Sequence, residues 1–115
     1  MSAHDDATSL RQMLDHAREA LVMVRRKVKE DLRRDRMLEL ALTRLVEIIG
    51  EAASRLSAET RQKHPEIPWP EILGMRNRLA HGYDVLDLDL LWDTVCDDLP
   101  PLIAALEQIL DNDSS

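Results

Sequence analysis

From Leu10 to Leu32 apolar side chains recur at intervals of three and four: Leu10, Met13, Leu14, Ala17, Leu21, Val24, Val28 and Leu32. That period matches the turn of an α-helix and places the set on one stripe, so the segment reads as one long, unbroken amphipathic helix. Thr8 or Ser9 can cap its start by accepting orphan backbone N–H groups. A second stripe runs through Leu38, Leu42, Leu45, Ile48, Ile49, Ala52 and Leu56, with Gly50 tolerated inside it and Ala52, Ala53 and Ser54 small enough to admit a close neighbour. Two such stripes have to cover one another, which sets the architecture as helix packed on helix.

The segment Lys63-His64-Pro65-Glu66-Ile67-Pro68-Trp69-Pro70 holds three prolines in six residues and cannot continue a helix, so it reads as an ordered connector. The next helix starts near Trp69 or Pro70, because a proline costs nothing in a first turn whose N–H groups have no partner. Ile72, Met75 and Leu79 form its inner stripe, and Gly82 suits the left-handed residue that ends a helix. A final helix spans about Asp87 to Leu110, with Leu88, Leu91, Trp92, Val95, Leu99, Leu102, Ile103, Leu106 and Leu110 turned inward and Pro100-Pro101 kinking or dividing it. Two Trp, one Tyr and no Phe among 115 residues agree with an aliphatic helical core. The expected fold is all-α: an antiparallel helical bundle of four to five helices in one domain over residues 8–110, with 111–115 a flexible tail.

No apolar run approaches the roughly 20 residues needed to cross a bilayer, and Met1 to Asp6 lack the basic and apolar regions of a secretory signal, so a cytoplasmic protein is expected. Cys96 is the only cysteine and reads as a small side chain at the edge of the core. Asp89, Asp93 and Asp97 share a helix face, but no histidine or turn glycine completes a coordination set, so they read as a solvated acidic face and no metal is expected.

The overall net charge is −7, yet all 15 Lys and Arg lie at or before Arg78. Leu79 to Ser115 carry nine acids and no Lys or Arg, so −9 there against −7 overall leaves +2 on the first 78 residues. Arg25, Arg26, Lys27, Lys29, Arg33, Arg34 and Arg36 against Glu30, Asp31 and Asp35 make a local excess of four positive charges. Such a ridge can meet a polyanion in spite of the overall sign, or can be a solvated helix end laced with ordinary ion pairs.

The densest chemistry is Met75-Arg76-Asn77-Arg78-Leu79-Ala80-His81-Gly82-Tyr83. It combines guanidinium groups suited to phosphate, an imidazole that titrates near neutral pH, and a phenol. On a regular helix Arg76 and His81 point about 140° apart, whereas Asn77 and His81 share a face. Either Arg76 reaches in along the edge of a groove, or two copies meet across a twofold axis so that Arg76 of one faces His81 of the other. His81 falls at a helix carboxyl end, where the partial negative charge favours imidazolium, and an imidazole beside a guanidinium has the parts needed to cleave RNA without a metal. Taken singly, each residue has an ordinary role: the arginines as ion-pair partners, His81 as a capping residue, Tyr83 as packing. His4, His16 and His64 read as loose-end, exposed-face and connector residues.

Glu51-Ala52-Ala53, then Pro65-Glu66-Ile67-Pro68-Trp69, then the motif itself, then Leu91-Trp92 together resemble the HEPN superfamily and, within it, the HepT-like toxins, over about Leu10 to Leu110. The resemblance implies a dimerising helical bundle with a composite cleft. In it Arg76 and His81 would carry metal-independent endoribonuclease activity by 2′-hydroxyl attack, with Asn77 and Arg78 in support and no cofactor. It also implies a toxin whose antitoxin partner, of nucleotidyltransferase fold, silences it by transferring AMP to Tyr83. The alternative is a non-catalytic helical module that grips a nucleotide or a nucleotidyltransferase partner through the same residues. A purely structural dimerisation domain stands behind both.

Overall fold

The computed structural model describes residues 3–79 and 87–114. It is all-α, as the periodicity predicts, with no strand among the described residues. The chain forms α1 (Ala3–Val24), α2 (Lys29–Arg34), α3 (Arg36–Ser54), α4 (Ala58–Lys63), α5 (Trp69–Leu73), α6 (Met75–Leu79), α7 (Leu88–Asp93), a π-helical turn (Thr94–Asp98) and α8 (Leu99–Ser114). No helix among the described residues is long and apolar enough to cross a membrane.

One core joins these elements. Met13, Leu14 and Ala17 of α1, Leu42, Val46 and Ile49 of α3, Leu91, Val95 and Leu99 of the last rod, and Leu106 of α8 are all inaccessible to solvent or nearly so. α1 packs on both α3 and α8. α1 and α3 run antiparallel: Asp6 near the start of α1 bonds Ser57, just past the end of α3.

The first rod departs from the unbroken helix expected. It starts earlier, at Ala3, so Thr8 and Ser9 lie within it and His4 belongs to the helix rather than to a loose end. Asp5 and Asp6 supply the acidic first turn that suits a helix amino end. It also stops at Val24, because Arg26 adopts a left-handed backbone with φ 65°. Val28, expected in the inner stripe, is 63% exposed, while Leu32 is fully buried once α2 has set off in its new direction. The Asp31 carboxylate restarts the helix by accepting from the Val28 N–H at 2.8 Å.

α3 matches its prediction, with the Asp35 carboxylate accepting from the Leu38 N–H at 3.1 Å as its cap. Gly50 faces α5, and a Cβ built there would lie 3.4 Å from the Ile72 carbonyl oxygen. α4 is an element the sequence reading passed over; Ser57 caps it by accepting from the Thr60 N–H at 3.2 Å. Trp69 ties the proline connector down, its indole N–H donating to the carbonyls of Arg61 (3.0 Å) and His64 (2.9 Å). The helix expected from there to Gly82 is divided at Gly74, whose N–H closes α5 onto the Pro70 carbonyl at 3.0 Å; Gly82 lies outside the described residues.

The last rod is divided as Pro100-Pro101 require, and the π turn shows how. Neither proline can donate an N–H, and each ring would crowd a carbonyl one turn back. The turn widens just before them, with the Leu99 N–H reaching five residues back to the Thr94 carbonyl. α8 then continues to Ser114, four residues past the Leu110 boundary expected.

Candidate active site

α6 is little more than one turn long and anchored by its i,i+4 pair: Met75 and Leu79 are both 2% exposed. Asn77, about 200° around the helix from Met75, is on the exposed side. The backbones of Arg76 and Arg78 belong to the same short helix, while their side chains lie outside the described residues. His81 and Tyr83 also lie outside the described residues. The structure therefore places the platform of the motif, α6, against α3 and α7.

The segment that carries His81 and Tyr83 is bounded by a single hydrogen bond. The Leu79 carbonyl, at the end of α6, accepts from the Asp87 N–H at 3.1 Å. The Asp87 carboxylate then caps α7 by accepting from the Leu90 N–H at 3.0 Å. One residue closes the segment and starts the helix that follows it.

α7 is in turn fastened to the basic ridge. Arg33 Nη2 lies 2.9 Å from Asp89 Oδ1, and Lys29 Nζ lies 3.4 Å from Asp93 and 3.8 Å from Asp89. The acidic face and the basic ridge, legible separately in the sequence, are thus partners of one another across 56 residues between Arg33 and Asp89. Asp89 and Asp93 are not a bare solvated face. Among the described residues no group of three or more His, Cys, Asp or Glu could hold a metal ion.

The remaining titratable groups have structural roles. His16 Nδ1 meets the Gln12 carbonyl at 2.6 Å within α1, and His64 Nδ1 lies 3.6 Å from Glu66. Burial first, then the neighbouring Asp97 and Asp93 carboxylates, push the Cys96 thiol up, which keeps it protonated and suits a half-buried packing role. Asp6, 4% exposed, accepts from the Ser57 and Thr60 hydroxyls and the Ser57 N–H, and the two hydroxyls hold its carboxyl below the usual range. Sequence reasoning passed over that network; the signal was Ser57 three residues before Thr60 ahead of a short polar helix.

Beside α6 a cleft of about 280 Å³ opens between α5 and α8, floored by Ile72, Met75 and Leu102 and rimmed by Glu71, Asp97 and Asp98. Its rim has the wrong sign for a phosphate.

The HepT-like family, described as "Ribonuclease HepT-like", matches residues 13–109. A Thermococcus cleftensis protein named "Probable ribonuclease HepT" is 40% identical over 80 residues, 70% of this chain and 73% of that one. A protein of Caldanaerobacter subterraneus subsp. tengcongensis, provisionally named RNase TTE0752, is 41% identical over 81 residues, 70% of this chain and 72% of its own. RNase MJ1380 of Methanocaldococcus jannaschii, also a provisional name, is 33% identical over 107 residues, 93% of this chain and 98% of its own. No solved structure matches the chain.

Proposed function

The chain belongs to the HepT-like ribonuclease family of the HEPN superfamily, and we propose from that premise that it is the metal-independent endoribonuclease toxin of a toxin–antitoxin pair. A ribonuclease of the HEPN type acts on RNA; the finer assignment is as follows. Arg76 and His81 are the catalytic pair, Asn77 and Arg78 support them, and Tyr83 is the residue that an antitoxin of nucleotidyltransferase fold modifies with AMP. The protein works as a cytoplasmic homodimer with a composite cleft and needs no cofactor.

His81 takes the proton of a ribose 2′-hydroxyl as the 2′-oxygen attacks the adjacent phosphorus. The P–O5′ bond breaks, leaving a 2′,3′-cyclic phosphate and a 5′-hydroxyl protonated by an imidazolium. Arg76 binds the phosphate and stabilises the charge that gathers on it in the transition state. A twofold arrangement supplies two imidazoles to one cleft, one as base and one as acid. An AMP on Tyr83 brings bulk and negative charge within a few residues of both groups and competes with RNA for them.

The observation that carries this reading is that the family match spans Arg76 to Tyr83 whole, and that Arg76, Asn77 and Arg78 belong to a helix whose Met75 and Leu79 are fixed in the core. The test is incubation of unmodified protein with total RNA in EDTA beside a His81→Ala control, with mapping of the cut ends. The parent alone should cut, leaving 2′,3′-cyclic phosphates, and His81→Ala should lower the rate by about 10²–10⁴-fold. Intact RNA with Tyr83 shown free by mass spectrometry would replace this reading with the nucleotide- or partner-binding module. Light scattering that gives a monomer mass at micromolar concentration would remove the homodimer.

A further inference from the structure

We propose that the α1–α2 turn, with Arg25, Arg26, Lys27 and Arg34, is a phosphate-binding surface that holds the RNA strand outside the catalytic cleft; the proposal rests on the ribonuclease reading above. Three observations carry it. The first is an imbalance of pairing. Within the ridge Lys29 and Arg33 are engaged by Asp89 and Asp93, and Arg36 by Glu39, whereas Arg25, Arg26, Lys27 and Arg34 are exposed with no ion pair among the described residues.

The second is the backbone. Arg26 sits at φ 65°, a conformation that costs a non-glycine L-residue about 1 kcal/mol or more and is ordinarily left to glycine. The break it makes ends α1 and turns three consecutive cations into solvent at one corner of the molecule. Crowding like charges there costs further energy that a bound polyanion would recover.

The third is position. α2 and α7 are antiparallel, since Arg33 near the end of α2 pairs with Asp89 near the start of α7, while Lys29 pairs with Asp93 further along. Arg34 is therefore at the end of α7 that begins with Asp87, the residue bonded to the end of α6. The free cations lead away from the catalytic segment along α2, about 9 Å, to the turn.

RNA fits this surface better than a protein does. Protein interfaces are depleted of charge at their centre, whereas this turn presents three consecutive cations, with exposed Val22, Val28, Met37 and Leu40 interspersed along the ridge. Flexible cations with no base-reading geometry would bind the backbone without regard to sequence.

The test is the variant R25Q/R26Q/K27Q/R34Q of the full chain. A 2′-O-methylated strand, which has no nucleophile, reads binding, and a cleavable strand of the same sequence reads KM and kcat. The variant should melt no lower than the parent at low salt. The slope of log K against log salt should flatten by up to about 3, at roughly 0.7 per lost phosphate contact on a single strand. KM for the long strand should rise about tenfold or more with kcat unchanged, while a fragment trimmed to a few nucleotides about the cut is handled as by the parent. An unchanged slope and KM would overturn the proposal, as would loss of kcat alone, or loss of a nucleotidyltransferase partner with RNA binding intact. If the parent binds the methylated strand through this surface but cuts nothing, the surface stands and the ribonuclease reading falls; if it neither binds nor cuts, both fall.

Discussion

Asp87 donates its backbone N–H to the Leu79 carbonyl at 3.1 Å while its carboxylate accepts from the Leu90 N–H at 3.0 Å. The end of α6 and the start of α7 are therefore held by the same residue, and the segment between them begins and ends at one point. Of the catalytic pair proposed above, Arg76 precedes that junction in the chain and His81 belongs to the segment the junction closes.

Asp87→Ala keeps the backbone bond and removes the cap. The loss is about 1 kcal/mol, or roughly 3–5 °C in Tm for a chain of this size. RNA cleavage should fall more than the stability loss accounts for, because α7 frays at the site. Asp87→Asn, which can still accept from Leu90, should restore most of both. Thermal melts and single-turnover cleavage of the two variants check this.

The Arg33–Asp89 pair is solvent-exposed on both sides, at 51% and 56%. A double-mutant cycle with Arg33→Ala and Asp89→Ala should give a coupling of about 0.2–1 kcal/mol that fades as salt is raised. A coupling above that range would mean that the pair is more shielded than its exposure indicates.

Asp6 gives the fold a carboxylate whose folded-state pKa is depressed, first by the Ser57 hydroxyl and then by that of Thr60. The sign follows: the stability it contributes is present above the ordinary value of 3.8 and is lost as pH falls through the lower folded value. Urea midpoints of the parent and Asp6→Asn should differ by a constant amount above about pH 5 and converge in more acid solution. A gap that widened in acid would reverse the assignment.

Gly50 lies within α3, where glycine costs about 1 kcal/mol relative to alanine. A Cβ there would meet the Ile72 carbonyl at 3.4 Å, an ordinary contact distance. Gly50→Ala should stabilise the protein by about 0.5–1 kcal/mol, whereas Gly50→Leu should push α5 away and destabilise it by about 1–3 kcal/mol. Equilibrium urea unfolding separates the two.

Much of this architecture was legible because burial imposes a period. Leu10, Met13, Leu14 and Ala17, then Leu42, Leu45 and Ile49, then Met75 and Leu79 are buried as their spacing predicts. The breaks were not legible. Nothing in the identity of Arg26 announces a left-handed backbone, and Gly74 looks no different from the tolerated Gly50 until α5 and α6 are seen as separate pieces. The fastening of Lys29 and Arg33 to α7 was out of reach because an ion pair across the fold leaves no trace in local spacing. At the candidate site, the roles proposed for Arg76, Asn77, Arg78, His81 and Tyr83 rest on residue type and family resemblance, whereas the buried footing of α6 was legible in its i,i+4 pair. The closure through Leu79 and Asp87 was not, because both partners are backbone groups and any residue carries them.

The π turn at Thr94–Asp98 has a consequence for phase. Each step of four residues overshoots a 3.6-residue turn by about 40°, so Leu91, Val95 and Leu99 on an ordinary helix would wind about 80° off their line. All three are fully buried. The wider turn absorbs that drift as one extra residue, much as a leap day realigns a calendar, and it hands α8 to the core in step with α7. Removing one residue from this turn would therefore return it to an ordinary helix and leave the apolar stripe of α8 on the core, whereas removing one residue beyond it, early in α8, would rotate the rest of that stripe by about 100° out of the bundle.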